Sequence, residues 1–462
     1  MSELPKSWAA APIRALMKPL SDGKLVHQGW SPQCESGPAR SDSDWGALKT
    51  TAIQDGAYLP EHNKRLPDSL DPKERLEVQP GDLLMTCAGP RVRCGVACLV
   101  RETPAKRFIS GKMYRFRAND QLIDPRLLEA FLRTPETKIQ IDAMKTGISE
   151  SGMNITHERF SQLIVPLAPR SEQKRIADKL DTVLTRVGAV NTRLARVAPI
   201  LKRFRQSVLA AATSGRLTEN WRISRGLKCG AGTTLQAICI QDRVITYGVV
   251  KLGDETPGGT PCLRTSNVRW LRFELEGMKH INPNLSAEYG RTVLRGGEVL
   301  VNVRGTLGGV AVATDDMSGW NVSREIAVVP VDQALASPAY ISLWIASDEC
   351  QRWLTGVTKG VAYTGINIED LRTLPLRLPL KEEQVEIVRR VEALFAFADR
   401  LEARLQTAHS ATERLTPALL AKAFRGELVP QDPNDESASE LLRRLQQRAP
   451  STSTRRGRKS AA

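Results

Sequence analysis

The chain has 462 residues, of which 41% are hydrophobic and 25% are charged, with a formal net charge of +15 at pH 7. Its length favours roughly three domains of about 150 residues, and its composition excludes an intrinsically disordered chain. The positive charge favours a polyanionic partner, and the lack of any apolar run near ~20 residues excludes a membrane-spanning helix.

The first predicted elements form a mixed α/β domain, which we place at residues 1–160. The segment PGDLLMTCAG (80–89) is typical of a turn, a β-strand and a glycine turn, and RCGVACLV (93–100) is typical of a second strand. A helical stretch, DPRLLEAFLRTPETKIQIDAM (124–144), and a glycine-bearing loop, TGISESGMNIT (146–156), follow these strands.

A long helix is predicted next, within a region that we place at residues 161–226. Its apolar residues recur at alternating steps of four and three, the pattern of a helix that packs along its length on another helix. We expect Ser171 to cap its start, Gly215 to end it, and Pro199 to kink or break it. The predicted seam positions in this helix are Ile176, Leu180, Val183, Val187, Val190 and Leu194.

A second mixed α/β domain, which we place at residues 227–370, repeats the features of the first. GGEVLVNVRG (296–305) matches the earlier turn, strand and glycine turn, and GGVAVAT (308–314) matches the second strand. A helical stretch, SPAYISLWIASDECQRWLTGV (337–357), follows again. KGVAYTGINIE (359–369) then matches the loop of the first domain.

The match between the two loops depends on a shift of 213 residues. This shift pairs Asn154 with Asn367 and Ile155 with Ile368, so that the shared Asn-Ile dipeptides coincide. We therefore expect Asn154 and Asn367 to occupy equivalent places in the two domains.

A second long helix is predicted in the region 371–428, and it opens with the same residues as the first. Glu172 and Gln173 are repeated at Glu383 and Gln384, an offset of 211 residues. A repeat at this distance indicates a molecule built from two similar halves. The predicted seam continues at Ile387, Val391, Leu394, Leu401 and Leu405.

We expect Gly426 to end the second helix and Pro417 to kink it. The remaining residues, 429–462, are predicted to form a short helix and a disordered basic tail that includes RRGRK (455–459). The whole pattern indicates an α+β fold, with two mixed α/β domains separated by two long helices that form an antiparallel coiled coil with an internal pseudo-twofold. Two unrelated amphipathic helices, each lying on its own domain, are the alternative.

Several segments resemble the specificity (S) subunits of Type I restriction–modification systems. PLAPRSEQKRIADKLD (166–181), GINIEDLRTLPLRLPLKEEQVEIVRRV (365–391) and LLAKAFRGELVPQDPNDESASELLRRL (419–445) resemble the conserved spacer regions of that family. VITYGVVKLGDETPGGTPCLRTSNV (244–268) with GGEVLVNVRGTLGGVAV (296–312) resembles one of its target recognition domains.

The resemblance implies a sequence-specific subunit that binds double-stranded DNA and reads a bipartite, asymmetric site, one half with each target recognition domain. The paired helices would hold the two domains at a fixed spacing and dock two methyltransferase (M) subunits, which restriction (R) subunits would join. The resemblance also implies that this chain binds no cofactor and is not itself an enzyme. S-adenosylmethionine, ATP and magnesium would be bound by the partner subunits.

The sequence shows no catalytic signature that would make the chain an enzyme by itself. It lacks an N/D-P-P-Y/F adenine-methyltransferase motif and a GxxxxGK[ST] phosphate-binding loop. Its five histidines have no metal-ligand spacing, and its eight cysteines contain no CxxC pair. We therefore expect no metal site, and a cytoplasmic protein with reduced thiols.

Candidate DNA contacts lie where strands end in glycine turns, because side chains there can project toward a groove. In the second domain, Arg304 with Asn302 and Thr306 offers guanine-reading and phosphate-binding chemistry. The other candidates are Arg264, Thr265 and Ser266 in the second domain and Arg91 and Arg93 in the first. A solvated arginine at a strand end is the competing explanation for Arg304.

Two other functions stay open at this point. The first is a self-contained DNA methyltransferase or nuclease with an unrecognised site, and the second is a coiled-coil scaffold whose domains do not bind DNA. Binding of S-adenosylmethionine by the isolated chain would identify the first. DNA binding that is independent of sequence would count against specific recognition, because phosphate attraction alone gives that behaviour.

Overall fold

The computed structural model describes residues 4–357 and 365–448. The predicted basic tail and most of the predicted loop of the second domain, residues 359–364, lie outside the described residues. The fold is mixed α/β, as predicted.

The chain divides into two compact units. Unit 1 contains Met1–Arg193 and Ala408–Ala462, and unit 2 contains Leu194–Thr407. The α-helices are α1 (Pro125–Leu132), α2 (Pro135–Met144), α3 (His157–Ser161), α4 (Arg170–Ala195), α5 (Val197–Thr213), α6 (Glu219–Ser224), α7 (Pro283–Glu288), α8 (Pro338–Ile345), α9 (Asp348–Gly356), α10 (Ile368–Arg372), α11 (Lys381–Phe424) and α12 (Ala438–Arg448). Short 3-10 helices lie at Ile13–Leu16, Thr50–Ala52, Glu74–Leu76, Gln236–Ile238, Gly290–Thr292 and Asp315–Met317.

The strands are short in both units. Those of unit 1 are β1 (Ala9–Pro12), β2 (Met17–Lys18), β3 (Val26–Gln28), β4 (Gly46–Leu48), β5 (Ile53–Gln54), β6 (Ala57–Tyr58), β7 (Asn63–Arg65), β8 (Leu83–Thr86), β9 (Ala88–Gly89), β10 (Ala97–Leu99), β11 (Arg107–Phe108), β12 (Met113–Ala118), β13 (Met153–Asn154) and β14 (Ile164–Leu167). Those of unit 2 are β15 (Ala231–Thr234), β16 (Thr246–Tyr247), β17 (Thr260–Leu263), β18 (Val268–Arg269), β19 (Arg272–Phe273), β20 (Lys279–Ile281), β21 (Val299–Asn302), β22 (Val310–Val312), β23 (Asn321–Val322), β24 (Ile326–Val329) and β25 (Pro375–Leu378).

The main sheet of unit 1 is antiparallel, with the strand order β10–β8–β12–β2, and β3 also pairs with β12. A second sheet has the order β11–β4–β7, and β1 pairs with β14. Leu83 and Met85 of β8 are buried in one apolar core with Phe131 of α1 and Phe160 of α3. Side chains alternate along a strand, so Leu84 enters a different core on the other face of the sheet.

Unit 2 repeats this topology. Its main antiparallel sheet has the order β16–β24–β21–β22, its second sheet has the order β20–β17–β23, and β15 pairs with β25. Met85 of β8 lies opposite Tyr114 of β12, as Val301 of β21 lies opposite Ala327 of β24. Strands β8 and β12 of unit 1 therefore correspond to β21 and β24 of unit 2.

Each α/β domain extends further along the chain than the sequence predicted. β14 lies after the predicted boundary at residue 160 and pairs with β1, and β25 lies after the predicted boundary at residue 370 and pairs with β15. The apolar segments before the long helices are therefore the last strands of the domains. The division between the units falls inside the long helices, because α4 and the end of α11 share the core of unit 1.

The two prolines within the predicted long helices act differently. α4 ends at Ala195 and α5 begins at Val197, so the first long helix is broken, as we predicted from the presence of Pro199. Pro199 lies in the first turn of α5, where the missing N–H has no intrahelical partner to lose. α11 continues through Pro417 without a break.

The helix ends follow one prediction and contradict another. Gly215 and Gly426 follow α5 and α11 with φ of +76° and +73°, which confirms the two predicted glycine stops. The predicted N-cap at Ser171 is wrong, because α4 already begins at Arg170. The hydroxyl of Ser171 instead donates to the carboxylate of Asp435.

The residues of the predicted seam differ in burial. The buried members are Ile176, Leu180, Val187, Ile387 and Val391. The partly buried members are Val183, Leu194, Leu394, Leu401 and Leu405. Val190 is 41% exposed, contrary to what a seam position requires. It lies near the end of α4, where the helix breaks and the heptad pattern no longer follows one continuous surface.

Within unit 2, the two long helices contact each other and run in opposite directions. Arg205 of α5 forms ion pairs with Asp399 and Glu402 of α11, at 2.6 and 2.8 Å. Further along the chain, the carbonyl of Leu217 accepts a hydrogen bond of 2.8 Å from Arg390. From the first contact to the second, the residue number rises from Arg205 to Leu217 but falls from Asp399 to Arg390. The two segments are therefore antiparallel here.

The loop before α3 and the segment before α10 align differently from the predicted match. The N–H of Ile155 donates to the carbonyl of Cys87 in unit 1, and the N–H of Ile366 donates to the carbonyl of Val303 in unit 2. Cys87 and Val303 both follow the equivalent strands β8 and β21. Ile155 therefore corresponds to Ile366, a shift of 211 residues, and the predicted shift of 213 is wrong.

The helix caps explain why the shared Asn-Ile dipeptide misled the alignment. The side chain of Thr156 caps α3, and that of Asn367 caps α10. Threonine and asparagine both satisfy the first free N–H groups of a helix, so they are interchangeable at this position. Asn154 corresponds instead to Gly365.

Candidate nucleic-acid interface

The repeated glutamate and glutamine of the long helices are buried at equivalent places. Glu172 accepts hydrogen bonds from the indole N–H of Trp8, at 3.0 Å, and from the amide of Gln431. Glu383 accepts one of 2.6 Å from Arg222. Burial raises the pKa of Glu172, and the two donors partly offset that effect. In each unit, this glutamate connects the start of a long helix by hydrogen bonds to residues distant in the chain: Trp8 and Gln431 in unit 1, and Arg222 in unit 2.

A cleft of about 560 Å³ opens at one end of the main sheet of unit 2. Its wall is formed by Tyr247 at the end of β16, by Arg304 just after β21, and by Arg324 just before β24. Gly365 forms an isolated bridge to Arg304 and closes another side. The cleft therefore gathers residues from four separate stretches of the chain.

Backbone hydrogen bonds fix the rim of this cleft. The N–H groups of Val303 and Arg304 both donate to the carbonyl of Glu325, at 2.8 and 3.3 Å. Gly305 then takes a φ of +71°, which glycine adopts without strain and which turns the chain sharply after Arg304. Arg304 therefore lies at the start of a turn, where its side chain is exposed.

The charge of the cleft is mostly positive. The guanidinium of Arg304 lies 5.6 Å from the ring centre of Tyr247, within the range of a cation–π contact. Among residues 4–357 and 365–448, neither Arg304 nor Arg324 forms an ion pair, although Glu325 lines the same cleft. Both arginines are exposed, so they are available to an anionic or acceptor-rich ligand.

The structure separates the predicted contacts of the second domain. Arg304 and Thr306 are exposed, and Ser266 is exposed as well. Asn302 is only 1% exposed and donates to the carbonyls of Thr265, Val268 and Thr306, so its amide is engaged within the fold. Its side chain holds two turns together.

Arg264 and Thr265 lie in a turn after β17 and are half-buried. The guanidinium of Arg264 donates to the carbonyl of Gly277 at 2.7 Å. The buried Asn267 caps this turn by accepting the N–H of Arg264 at 3.0 Å. This cluster is therefore partly a structural turn, with Ser266 at its exposed tip.

The two predicted arginines of the first domain are engaged within unit 1. Arg93 is half-buried and donates to the carbonyls of Thr50 and Ile53, both at 2.6 Å, so its guanidinium is engaged within the fold. Arg91 forms ion pairs of 2.8 Å with Asp142 and Glu150. Its pKa is raised by those hydrogen-bonded carboxylates, Glu150 first.

Unit 1 has the same site with different residues. Gln28 lies opposite Tyr114 as Tyr247 lies opposite Ala327, and Ala88 pairs with Asn154 as Arg304 pairs with Gly365. The residues that correspond to Tyr247, Arg304, Arg324, Glu325 and Gly365 are therefore Gln28, Ala88, Gly111, Lys112 and Asn154. Gln28, Lys112 and Asn154 are exposed.

The sequence predictions missed Tyr247 and Arg324 as members of one site with Arg304. They are 57 and 20 residues away from Arg304 along the chain, and only the strand order brings them together. A local signal exists at Gly248, where a Cβ would lie 1.8 Å from the carbonyl oxygen of Val322. This glycine shows that β16 must pass very close to β23.

Neither a metal centre nor a membrane-spanning helix is found among the described residues. Within residues 4–357 and 365–448, no group of three or more histidine, cysteine, aspartate or glutamate side chains is arranged to hold a metal ion. None of the helices in the same part of the chain has both the length and the apolar character needed to cross a membrane.

Comparisons with known sequences converge on one description. A family model described as the Type I restriction modification DNA specificity domain matches residues 254–408. The chain is 34% identical to the Type I restriction enzyme EcoBI specificity subunit of Escherichia coli over 327 residues, which cover 66% of this chain and 69% of that protein. It is 30% identical to the EcoKI specificity subunit of Escherichia coli (strain K12) over 357 residues, which cover 74% of this chain and 76% of that protein. The StySPI specificity subunit of Salmonella potsdam matches over 99% of both chains at 27% identity.

Two solved structures share the fold. A chain from work on complex assembly and conformational transition of the type I R-M system has a TM-score of 0.66 at 18% identity, covering 93% of this chain and 100% of that one. The HsdS subunit from Thermoanaerobacter tengcongensis has a TM-score of 0.55 at 18% identity, covering 92% of this chain and 98% of that one.

Proposed function

The chain belongs to the family of Type I restriction enzyme specificity subunits, and from that premise we propose that it determines which DNA sequence its complex modifies. As a member of this family, the chain is a DNA-recognition component without catalytic activity of its own. Its partners are DNA and the methyltransferase and restriction subunits of the same system. We place it in the cytoplasm, where that DNA is found.

One observation carries the proposal of two-part recognition. The chain contains the same domain twice, and five positions that line the cleft of unit 2 all carry different residues at the equivalent places of unit 1. Two readers with the same backbone and different side chains would recognise two different half-sites. A bipartite and asymmetric site follows from that arrangement.

The two long helices would set the distance between the half-sites. We propose that they pair along their whole length as an antiparallel coiled coil, which relates the two halves by a pseudo-twofold. Support comes from the heptad spacing and from contacts inside each unit, where Ile176 and Leu180 share a core with Leu420 and where Arg205 pairs with Asp399. Two half-sites bound through one rigid spacer share their binding free energy at a high effective concentration.

The cofactors of the reaction would be bound by the other subunits. We propose that two methyltransferase subunits dock on the helices and supply S-adenosylmethionine, and that restriction subunits supply ATP and magnesium chemistry. The buried ionisable groups of this chain, such as Glu172 and Glu383, are engaged in hydrogen bonds within its own fold. Glu172 and Glu383 hold the starts of the two long helices in place.

The DNA contacts that we propose follow the exposure of the predicted residues. In unit 2 they are Arg304, Thr306 and Ser266, with Thr265 and Arg264 supporting the same turn. In unit 1, Arg91 can contact DNA only by giving up its ion pairs with Asp142 and Glu150, so we assign it a phosphate-positioning role at most.

A selection experiment tests the proposed function. The full chain, purified with its methyltransferase subunits, would be incubated with a duplex library of random sequence at ~0.15 M salt, where non-specific phosphate binding is weak. We expect the bound duplexes to share one bipartite motif. The methyltransferase subunits alone are the matched control, and they should enrich none.

Two outcomes would favour the competing functions. Equal binding of all duplexes would contradict specific recognition, and the absence of any DNA binding would favour the scaffold hypothesis. S-adenosylmethionine binding by the isolated chain would point to a self-contained enzyme and contradict the assignment of the cofactor to partner subunits.

A further inference from the structure

We propose that Arg304 reads a guanine in the half-site bound by unit 2, and that unit 1 has no guanidinium at the matching position because Ala88 stands there. This inference rests on the proposed function and goes one step further, since it assigns one base pair to one side chain. It also gives a physical reason why the two half-sites differ.

The first argument is the path of the Arg304 side chain. Arg304 lies two residues after the end of β21 and precedes Gly305, whose φ of +71° turns the chain. A Cβ on Gly365 would lie 3.2 Å from Cγ of Arg304 and 3.4 Å from the carbonyl oxygen of Val303. Glycine at 365 therefore leaves room for the stem of Arg304, which lines the cleft.

The second argument is that the guanidinium is held in place before any ligand arrives. It lies 5.6 Å from the ring centre of Tyr247, which is itself only 39% exposed and paired within the main sheet. The ring of Tyr247 restricts the guanidinium of Arg304 on one side. An arginine restricted in this way loses less conformational entropy on binding than a freely solvated one.

The third argument is that the donors of this guanidinium are free. Arg264 donates to the carbonyl of Gly277, and Arg269 and Arg272 pair with Glu274. By contrast, the side chain of Arg304 donates no hydrogen bond within residues 4–357 and 365–448, where it contacts the ring of Tyr247. Its planar fork of N–H donors matches the O6 and N7 acceptors of guanine in the major groove, which is the commonest specific contact between an arginine and a base.

The matching site of unit 1 lacks this chemistry. Ala88 has no donor, and the neighbouring Gln28 already donates through its amide to the carbonyl of Gly111 at 2.9 Å. Lys112 is exposed, but an ammonium is a point charge and lacks the flat fork of a guanidinium. A guanine at the corresponding position of the other half-site would therefore not be read in the same way.

The test compares the modified DNA motifs of variants of the full chain. Methylated adenines would be mapped in the genomic DNA of cells that produce the chain with its methyltransferase subunits. The chain would be the wild type, Arg304→Ala or Arg295→Ala. Arg295 is an exposed arginine near the opposite end of β21 and serves as the matched control. We expect Arg304→Ala to lower the preference for G·C over other base pairs at one position of one half-site by roughly 5- to 150-fold. We expect Arg295→Ala to leave the motif unchanged.

A second measurement probes the same contact with a guanine analogue in the DNA. Duplexes with 7-deazaguanine at the relaxed position lack the N7 acceptor, so they should bind the wild-type complex more weakly than guanine duplexes do. The Arg304→Ala complex should bind both duplexes equally. Equal binding by the wild type would contradict a contact to N7.

The outcomes separate this inference from the proposed function. A bipartite wild-type motif that Arg304→Ala leaves intact, or weakens equally at every position, would overturn the guanine assignment alone, because a phosphate contact behaves in that way. A wild type that modifies DNA without any bipartite motif would overturn the proposed function and this inference together.

Discussion

Gln173 and Gln384 make the same hydrogen bond in the two units. Oε1 of Gln173 accepts the backbone N–H of Asp124 at 2.9 Å, and Oε1 of Gln384 accepts that of Ser337 at 2.7 Å. Asp124 and Ser337 are the N-caps of α1 and α8, the equivalent helices of the two domains. The repeated glutamine therefore joins each long helix to the start of a domain helix, and this role explains why the two helices open with the same residues.

Removal of either glutamine should destabilise the protein. Gln173→Ala and Gln384→Ala each leave a buried backbone N–H without its acceptor, so we expect each to lower the free energy of unfolding by about 1–3 kcal/mol. Chemical denaturation would measure the loss. Gln406→Ala, at an exposed position of α11, is the control and should change stability by less than about 0.5 kcal/mol. A similar small effect at all three positions would contradict the shared role.

Gly248 should tolerate no side chain. A Cβ there would lie 1.8 Å from the carbonyl oxygen of Val322, so Gly248→Ala must push β16 away from β23. We expect a loss of about 1–3 kcal/mol in the free energy of unfolding and weaker DNA binding, because Tyr247 moves with the strand. Gly232→Ala is the control, since a Cβ there would meet no atom within 4 Å. If both variants unfold alike, the close approach of β16 is not a constraint on the fold.

The ion pairs between α5 and α11 should contribute weakly and depend on salt. Arg205 is 17% exposed, but its partners Asp399 and Glu402 are 68% and 57% exposed, so water and salt screen the attraction. We expect Arg205→Ala to cost about 0.2–1 kcal/mol per pair at low salt and less at 1 M salt. Arg203→Ala, at an exposed position of the same helix, should show little dependence on salt. If the loss in the free energy of unfolding did not change with salt, it would come from the packing of the aliphatic part of Arg205 and not from its charge.

Periodic patterns in the sequence were reliable guides to the fold, because burial along a helix or strand recurs at a fixed spacing. The heptad pattern located residues such as Ile176 and Val391, both of which are fully buried. It erred at Val190, where the first helix approaches its break. Paired strands that are distant in the chain, such as β1 with β14, leave no periodic signal, so both domain ends were placed too early.

The candidate site was predictable only in part. Arg304 was found because a strand followed by a glycine turn is a local signal. Asn302 carries the same local signal, yet its side chain points inward to three carbonyls, and only the arrangement of two distant turns determines that direction. Arg93 is directed inward for the same reason. The direction of a polar side chain at a strand end depends on tertiary contacts that one sequence does not encode locally.

The pH dependence of stability should reveal the ion pairs of Glu386. Hydrogen bonds from Arg389 and Arg390 lower the pKa of its carboxyl to about 2, from an ordinary value of 4.5. A depressed pKa stabilises the folded state fully above the ordinary value, and that stabilisation is lost as the pH falls through about 2. We therefore expect Glu386→Gln to lower the Tm at pH 7 and to differ less from the wild type at pH 3.

Glu392→Gln provides the matched comparison for that measurement. Glu392 is exposed on the same helix, so its replacement should shift the Tm little at either pH. If the difference in Tm between Glu386→Gln and the wild type grew as the pH fell, that result would contradict the depressed pKa of Glu386.

The most direct test of two-part recognition is a genome-wide map of methylated adenine in cells that produce this chain with its methyltransferase subunits. We predict that all modified sites share one asymmetric motif, made of two different half-sites separated by a constant number of unspecified base pairs. A single continuous motif, a palindrome built from one half-site, or methylation without regard to sequence would contradict the reading of DNA by two unlike domains.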